Sequence, residues 1–274
     1  MINIRLADIP VQMDPRFPEL ESLCRGYETK EPPVISLSVS PDEIENERRM
    51  QDECFSDGYL ETVCMYRKLA LEVLAHQVFV LHASVVEVDG KGYAFLAPSG
   101  TGKTTQTGLW LQYFGERARV INGDKPLIRM VRKESSLEFI AYGTPWCGKE
   151  GMGCNASVPL RALFFVERAV NPSCILSLQE YSVDMIFRQL LLPESAEQME
   201  HLLHMVDGLV ETVPGYILRC NMNMESVKTA YKVVGEAGNF LQRFFIQSNH
   251  FMLWCMHKSF APRPILRLPE SHEW

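Results

Sequence analysis

The residue types best suited to chemistry stand together at Ala97-Pro98-Ser99-Gly100-Thr101-Gly102-Lys103-Thr104-Thr105. A loop ending Gly-Lys-Thr turns its backbone N–H groups inward around phosphate oxygens. Its lysine neutralises the β and γ charges, and its threonine hydroxyl ligates magnesium. On that pattern Ser99, Gly100, Thr101, Gly102, Lys103, Thr104 and Thr105 bind the nucleotide, and Thr104 faces the metal. Ala97 stands where the usual pattern opens with glycine, and the competing account is a glycine-rich turn with an incidental lysine. About twenty residues on, Asn122-Gly123-Asp124-Lys125-Pro126 offers a carboxylate, Asp124, suited to accept a hydroxyl proton or to hold magnesium. Aspartate is also common in such turns on local grounds alone.

These residues need particular elements beneath them. Residues 78–88 are rich in β-branched side chains and predict a strand, Asp89-Gly90 a tight turn, and Gly92-Tyr93-Ala94-Phe95-Leu96 a second strand running straight into the loop. A helix is expected from near Lys103, continuing over 107–114 and ending at Gly115. Strands are expected at 118–122, 125–131, 137–142, 160–167 and 174–178, and helices at 182–192, at 196–212 behind Ser195-x-x-Gln198, and at 226–235. Upstream, short apolar runs at 2–9 and 34–39 predict strands. Ser40-Pro41-Asp42-Glu43 starts a surface helix, and 59–75 forms a packing helix. The chain thus divides into an N-terminal strand and helix region at 1–75, a loop-bearing core at 76–238, and an aromatic helix with a polar tail at 239–274.

With Leu81-His82-Ala83-Ser84, the Asp89-Gly90 turn and the loop in this order, residues 76 to about 235 resemble the HPr kinase family and its PEP-carboxykinase-like relatives. The resemblance implies an α/β fold with a mixed sheet of that type, plus a small N-terminal β-containing region. It implies an ATP- and magnesium-dependent kinase that phosphorylates a serine-type hydroxyl on a protein, a peptide or a small molecule. Asp124 matches the family's acid, as catalytic group and as metal ligand, but the family usually pairs two acids where this chain has Gly123-Asp124. His82 resembles a histidine near the loop that orients the acid or touches phosphate; a lone strand histidine is otherwise structural. Gly143-Thr144-Pro145-Trp146-Cys147-Gly148-Lys149-Glu150 resembles the glycine-rich segment downstream, without the HPr kinase arginine-glycine signature. There Lys149, or else Arg161, neutralises charge at the transferring phosphate, and Trp146 stacks on substrate or caps the core. A kinase for a ribosomally made peptide fits a short chain with no evident HPr-docking region. The missing second acid keeps open a non-catalytic ATP sensor. A PEP carboxykinase would need a second metal site that these residues do not assemble.

Composition bounds the rest. With 274 residues, 46% of them hydrophobic, the chain supports a large core without disulfides or metal. A net charge of −7 argues against a nucleic-acid binder. Eight scattered cysteines with no Cys-x-x-Cys pair read as reduced thiols, and the N-terminus lacks a secretory pattern, so a cytoplasmic protein is expected. The apolar stretch 69–88 is broken by Glu72, His76, Gln77, His82 and Glu87, so no membrane insertion is expected. His201 and His204 lack a third ligand, and Cys255 with His257 lacks an orienting acid. The aromatic residues from Phe240 to Trp254 are expected in the core, or as a contact between copies in a homo-oligomer.

Overall fold

The computed structural model describes residues 1–241 apart from 52 and 135, with backbone only from 237. The expected aromatic segment lies beyond them from 242 onward, with Cys255 and His257.

The apolar run at 2–9 does not make one strand. Positive φ at Ala7 and Asp8 folds it into an antiparallel hairpin of β1 (Ile2–Leu6) and β2 (Ile9–Asp14). β3 (Ile35–Ser38) pairs parallel to β2 and completes a three-stranded sheet. A short helix, α1 (Pro18–Leu23), was not expected. Its start has no side-chain cap of its own; instead the buried carboxylate of Glu61 accepts the backbone N–H groups of Arg16 at 2.7 Å and Phe17 at 3.1 Å. Helix α2 (Pro41–Met50) opens with the expected reciprocal bonds between Ser40 and Glu43. Helix α3 (Asp57–Glu72) is capped by Ser56 and ends in a tight turn through His76.

The expected single strand over 78–88 is in fact two, β4 (Val78–Val80) and β5 (Ser84–Val88). Residues 81–83 leave the ladder because their backbone N–H groups bond elsewhere: Leu81 to Pro126 O, His82 to Gln189 O and Ala83 to Asp124 O. Tertiary hydrogen bonds here override a strong β pattern. β5 and β6 (Lys91–Leu96) then form the expected hairpin. The remaining elements are α4 (Lys103–Phe114), β7 (Ala118–Asn122), β8 (Leu127–Arg132), β9 (Leu137–Tyr142), β10 (Ser157–Arg168), β11 (Ser173–Leu176), α5 (Gln179–Phe187), α6 (Ala196–Thr212), β12 (Gly215–Cys220) and α7 (Glu225–Leu241). β12 was not foreseen, and α5 starts three residues early. Ser195 does not cap α6 with its side chain, and Gln198 instead donates to Leu71 O.

These strands form a nine-stranded mixed sheet in the order β4-β8-β9-β10-β6-β5-β7, with β12 on β10 and β11 on β12. β10 belongs to two arrangements. Its first residues pair antiparallel with β9, and past a register shift at 160–162 it runs parallel to β6 and β12. β5 lies antiparallel between β6 and β7, so β6, β7, β10 and β12 all end at one edge of the sheet. One side of the parallel part packs Phe95, Phe164 and Tyr216 against Trp110 of α4 and Val227 of α7. The antiparallel strands pack against α6 through Met205 and Leu209. A third cluster joins Leu20, Leu60 and Tyr66 of the N-terminal region to Val80, Leu127 and Trp146. The chain is therefore a mixed α/β protein with a curled mixed sheet and a separate small N-terminal sheet. Among the described residues no helix is long and apolar enough to cross a membrane, and the seven cysteines are free.

Candidate functional site

The buried run of β6 ends at Leu96, and residues 97–102 carry the chain across the sheet edge into α4. Ala97 is fully buried in the cluster that holds Trp110 and Phe114, so its methyl group fills space beneath α4; this accounts for alanine where the motif has glycine. Gly102 sits at φ +127°, a conformation that favours glycine, and offers no side-chain cap to α4. The N–H groups of that first turn are thus left for another acceptor, whereas α2 and α3 use serine caps. Lys103 is buried and folds over its own loop, its Nζ donating to Ala97 O at 2.7 Å. Thr104 is exposed and its hydroxyl makes no hydrogen bond to a described residue. One turn on, Thr107 Oγ1 lies 2.7 Å from Ser84 Oγ and ties α4 to β5.

The second part is built on Asn122, the buried last residue of β7. Its Oδ1 accepts the N–H groups of Asp124 at 2.8 Å and Lys125 at 2.7 Å, an Asx turn that fixes the acid's backbone. Its Nδ2 donates to Thr144 Oγ1 at 2.9 Å and to the carbonyls of Thr144 and Trp146 at 3.3 Å, pinning the 143–147 segment to the same turn. Tyr66 of α3 donates its hydroxyl to Lys125 O at 3.2 Å, and Trp146 donates its indole N–H to Thr62 O at 3.1 Å. Trp146 is buried in the core, its ring centroid 4.8 Å from that of Tyr66 with the two planes tilted by 39°.

On this turn Asp124 Oδ1 lies 3.2 Å from His82 Nε2, and Oδ2 lies 2.6 Å from Lys125 Nζ. Burial of Asp124 opposes its ionisation, yet the hydrogen bond from His82 and the charge of Lys125 hold the carboxyl well below the usual carboxylate range. The break at 81–83 is what lets His82 face the acid. The structure thus brings together Asp124 and His82, while the loop leaves the same end of the sheet from β6, with β5 between β6 and β7. Lys125 joins them unforeseen, although its place beside Asp124 was a signal.

Lys149 does not join this cluster. Gly148 packs beside Asp124, but Lys149 follows on an exposed turn and forms no ion pair with a described residue. Arg161 is also misplaced as a phosphate group. It lies where β10 meets the start of β6, roughly 13 Å along the strand from the loop, and its charge acts on Tyr93 and Tyr216 instead. The arginine that does reach the loop is Arg168, at the far end of β10, which donates to Gly100 O and to Thr101 O.

Geometry explains the absent second acid. A Cβ on Gly123 would lie 2.8 Å from Cys147 O and 3.0 Å from Met152 O, both backbone atoms. Restoring the pair with Gly123→Asp is expected to cost about 1–3 kcal/mol of stability through this clash, read as a lower thermal midpoint with no gain in any activity. Among the described residues no three His, Cys, Asp or Glu side chains converge on a metal position, and His201 with His204 forms none.

No protein-family model matches the chain, and no curated protein matches it by sequence. Among solved structures it is similar to the Hpr(Ser) kinase/phosphatase from Coxiella burnetii, at 10% identity and a TM-score of 0.34, over 61% of this chain and 99% of that one. A likeness that slight carries no weight by itself, and function has to be read from the chain's own residues.

Proposed function

We propose that this chain is an ATP- and magnesium-dependent phosphotransferase that phosphorylates a serine-type hydroxyl on a protein, peptide or small molecule. The observation that carries the reading is the strand topology, which sends the Gly100–Lys103 loop from β6 and the Asp124–His82 pair from β7 and the break before β5 to the same end of the sheet. Phosphoryl transfer asks for alignment and charge neutralisation more than for covalent chemistry. The uncapped N–H groups of α4 and the Lys103 ammonium suit the phosphates, and bound phosphate replaces Ala97 O as the lysine's partner. Asp124, held by its Asx turn and by His82, orients the acceptor hydroxyl. As an acid of lowered pKa it is a weak base, which suits a loose transition state in which the proton leaves late.

Magnesium fits the residues present: Thr104 has an uncommitted hydroxyl, Asp124 keeps lone pairs beyond those used by His82 and Lys125, and the ion would screen phosphate charge. A second reading, an ATP sensor that turns nothing over, draws on Gly123 having no room for an acid and on Asp124 already facing Lys125. Neither reading needs the metal cluster of a PEP carboxykinase.

The test is transfer from γ-labelled ATP with magnesium into a host lysate resolved into protein, peptide and small-molecule fractions. Label in one fraction supports the kinase and names its acceptor class. ATP binding with no label in any fraction leaves the sensor.

A further inference from the structure

The geometry points to Arg168 as a positioning residue that activates the nucleotide loop from behind, an inference that rests on the phosphate-binding role of that loop. Arg168 is the last residue of β10, the parallel neighbour of β6, so its Cα stands just beyond the strand end from which the loop departs. Its Nε donates to Thr101 O at 3.2 Å, and its Nη2 donates to Gly100 O. The side chain is exposed and forms no ion pair with a described residue; the adjacent Glu167 is engaged by Arg219 and Tyr181 instead. An unneutralised guanidinium therefore spends two donors on two successive peptide carbonyls of the loop.

Each of those carbonyls shares a peptide unit with the N–H of the following residue. A charged donor on the oxygen draws electron density through the amide and makes its N–H a stronger donor. The Gly100 carbonyl shares its unit with Thr101 N–H, which is turned back to Pro98 O at 3.3 Å. The Thr101 carbonyl shares its unit with the N–H of Gly102, the residue at the N-cap of α4. Arg168 thus acts on the loop in two ways, fixing two peptide planes and strengthening the Gly102 N–H toward an anion, while its own charge adds to that of Lys103 without touching the ligand.

The position is further triangulated across the sheet edge. Gln106 of α4 donates to Asn221 O, just past β12, and Asn221 donates to Val170 O, two residues after Arg168. The arginine therefore works from a braced strand end.

The test is ATP and ADP binding by titration calorimetry on the full chain and on Arg168→Ala, Arg168→Lys and Arg168→Gln, each with its ligand-free thermal midpoint. The charge-assisted contacts predict that alanine and glutamine weaken both nucleotides by about tenfold or more while lysine retains most of the affinity. Ligand-free midpoints are expected to stay close to wild type. Alanine binding ATP within twofold of wild type overturns the inference, and so does glutamine matching lysine, because a neutral strut would then suffice. Failure of the unaltered chain to bind any nucleotide overturns the loop's role itself and the inference with it.

Discussion

Replacing Lys103 with alanine is expected to raise the ATP dissociation constant by at least about a hundredfold, equivalent to roughly 2.7 kcal/mol, and to take phosphate transfer to background. The size follows from where the ammonium sits. Lys103 is only 8% exposed, and its charge acts through a medium far less polarisable than water. It already bends back over the loop to Ala97 O, so little reorganisation separates the free from the bound position. The substitution also leaves the Ala97 carbonyl without this donor, for which a loss of about 1–3 kcal/mol in ligand-free stability is expected. Calorimetric titration with ATP, beside thermal unfolding without it, separates the two effects. Binding retained within threefold in a folded variant would remove the loop from the site.

Asp124→Asn is expected to do the opposite: ATP binding within a few-fold of wild type, and transfer lowered by about 10²–10⁴, the usual span for a positioned proton acceptor. Single-turnover transfer from labelled ATP measures the second against the first. Equal transfer by the variant would favour the sensor. The acid also has a pH signature. Because its folded pKa is depressed, its ionisation stabilises the fold at pH above the ordinary carboxylate range, and that contribution is lost as pH falls through the lowered folded value. Asp124 therefore stays charged through pH 5–8 and adds no acidic limb to the transfer rate there. The asparagine variant, lacking this titration, should lose less stability than wild type on acidification below about pH 4. Thermal midpoints across that range check the sign.

How much of this could be read from residues alone depends on the range of the interaction involved. The strand, loop and helix around 97–102 were legible because they follow one another directly in the sequence. Ser40 and Glu43 were legible for the same reason, being three residues apart in one turn. The turn at Asn-Gly-Asp was legible from its residue types, and Asn122 builds it through bonds to the N–H groups of Asp124 and Lys125. What escaped depends on distant partners. The break at 81–83 is made by carbonyls of Asp124, Pro126 and Gln189. Arg168 reaches carbonyls 67 and 68 residues back along the chain, and nothing near it in sequence marks it out. Arg161 had equal standing as a cation, and only the strand register puts it at the wrong end of β10. Lys149 was chosen for its loop, but a glycine-bounded turn carries it outward. Glu61 shows the same limit: from sequence it is one more helical carboxylate, and in the fold it caps a helix more than forty residues away.

The Asn122–Gly123 pair gives this site a chemical lifetime as well as a shape. An asparagine followed by glycine is the peptide step most open to ring closure with loss of ammonia, because glycine leaves the attacking backbone nitrogen unhindered. Here the amide is buried and both its ends are occupied, so the ring cannot form without breaking the bonds to Thr144, Asp124 and Lys125. The same glycine is required by the carbonyls of Cys147 and Met152, so the vulnerable step cannot be edited out of the sequence at that residue. Once closed and reopened, residue 122 becomes a carboxylate facing the carbonyls of Thr144 and Trp146, which it can only repel. Intact folding is what keeps the turn from ageing, and each transient opening exposes the protein to a covalent change that refolding does not reverse.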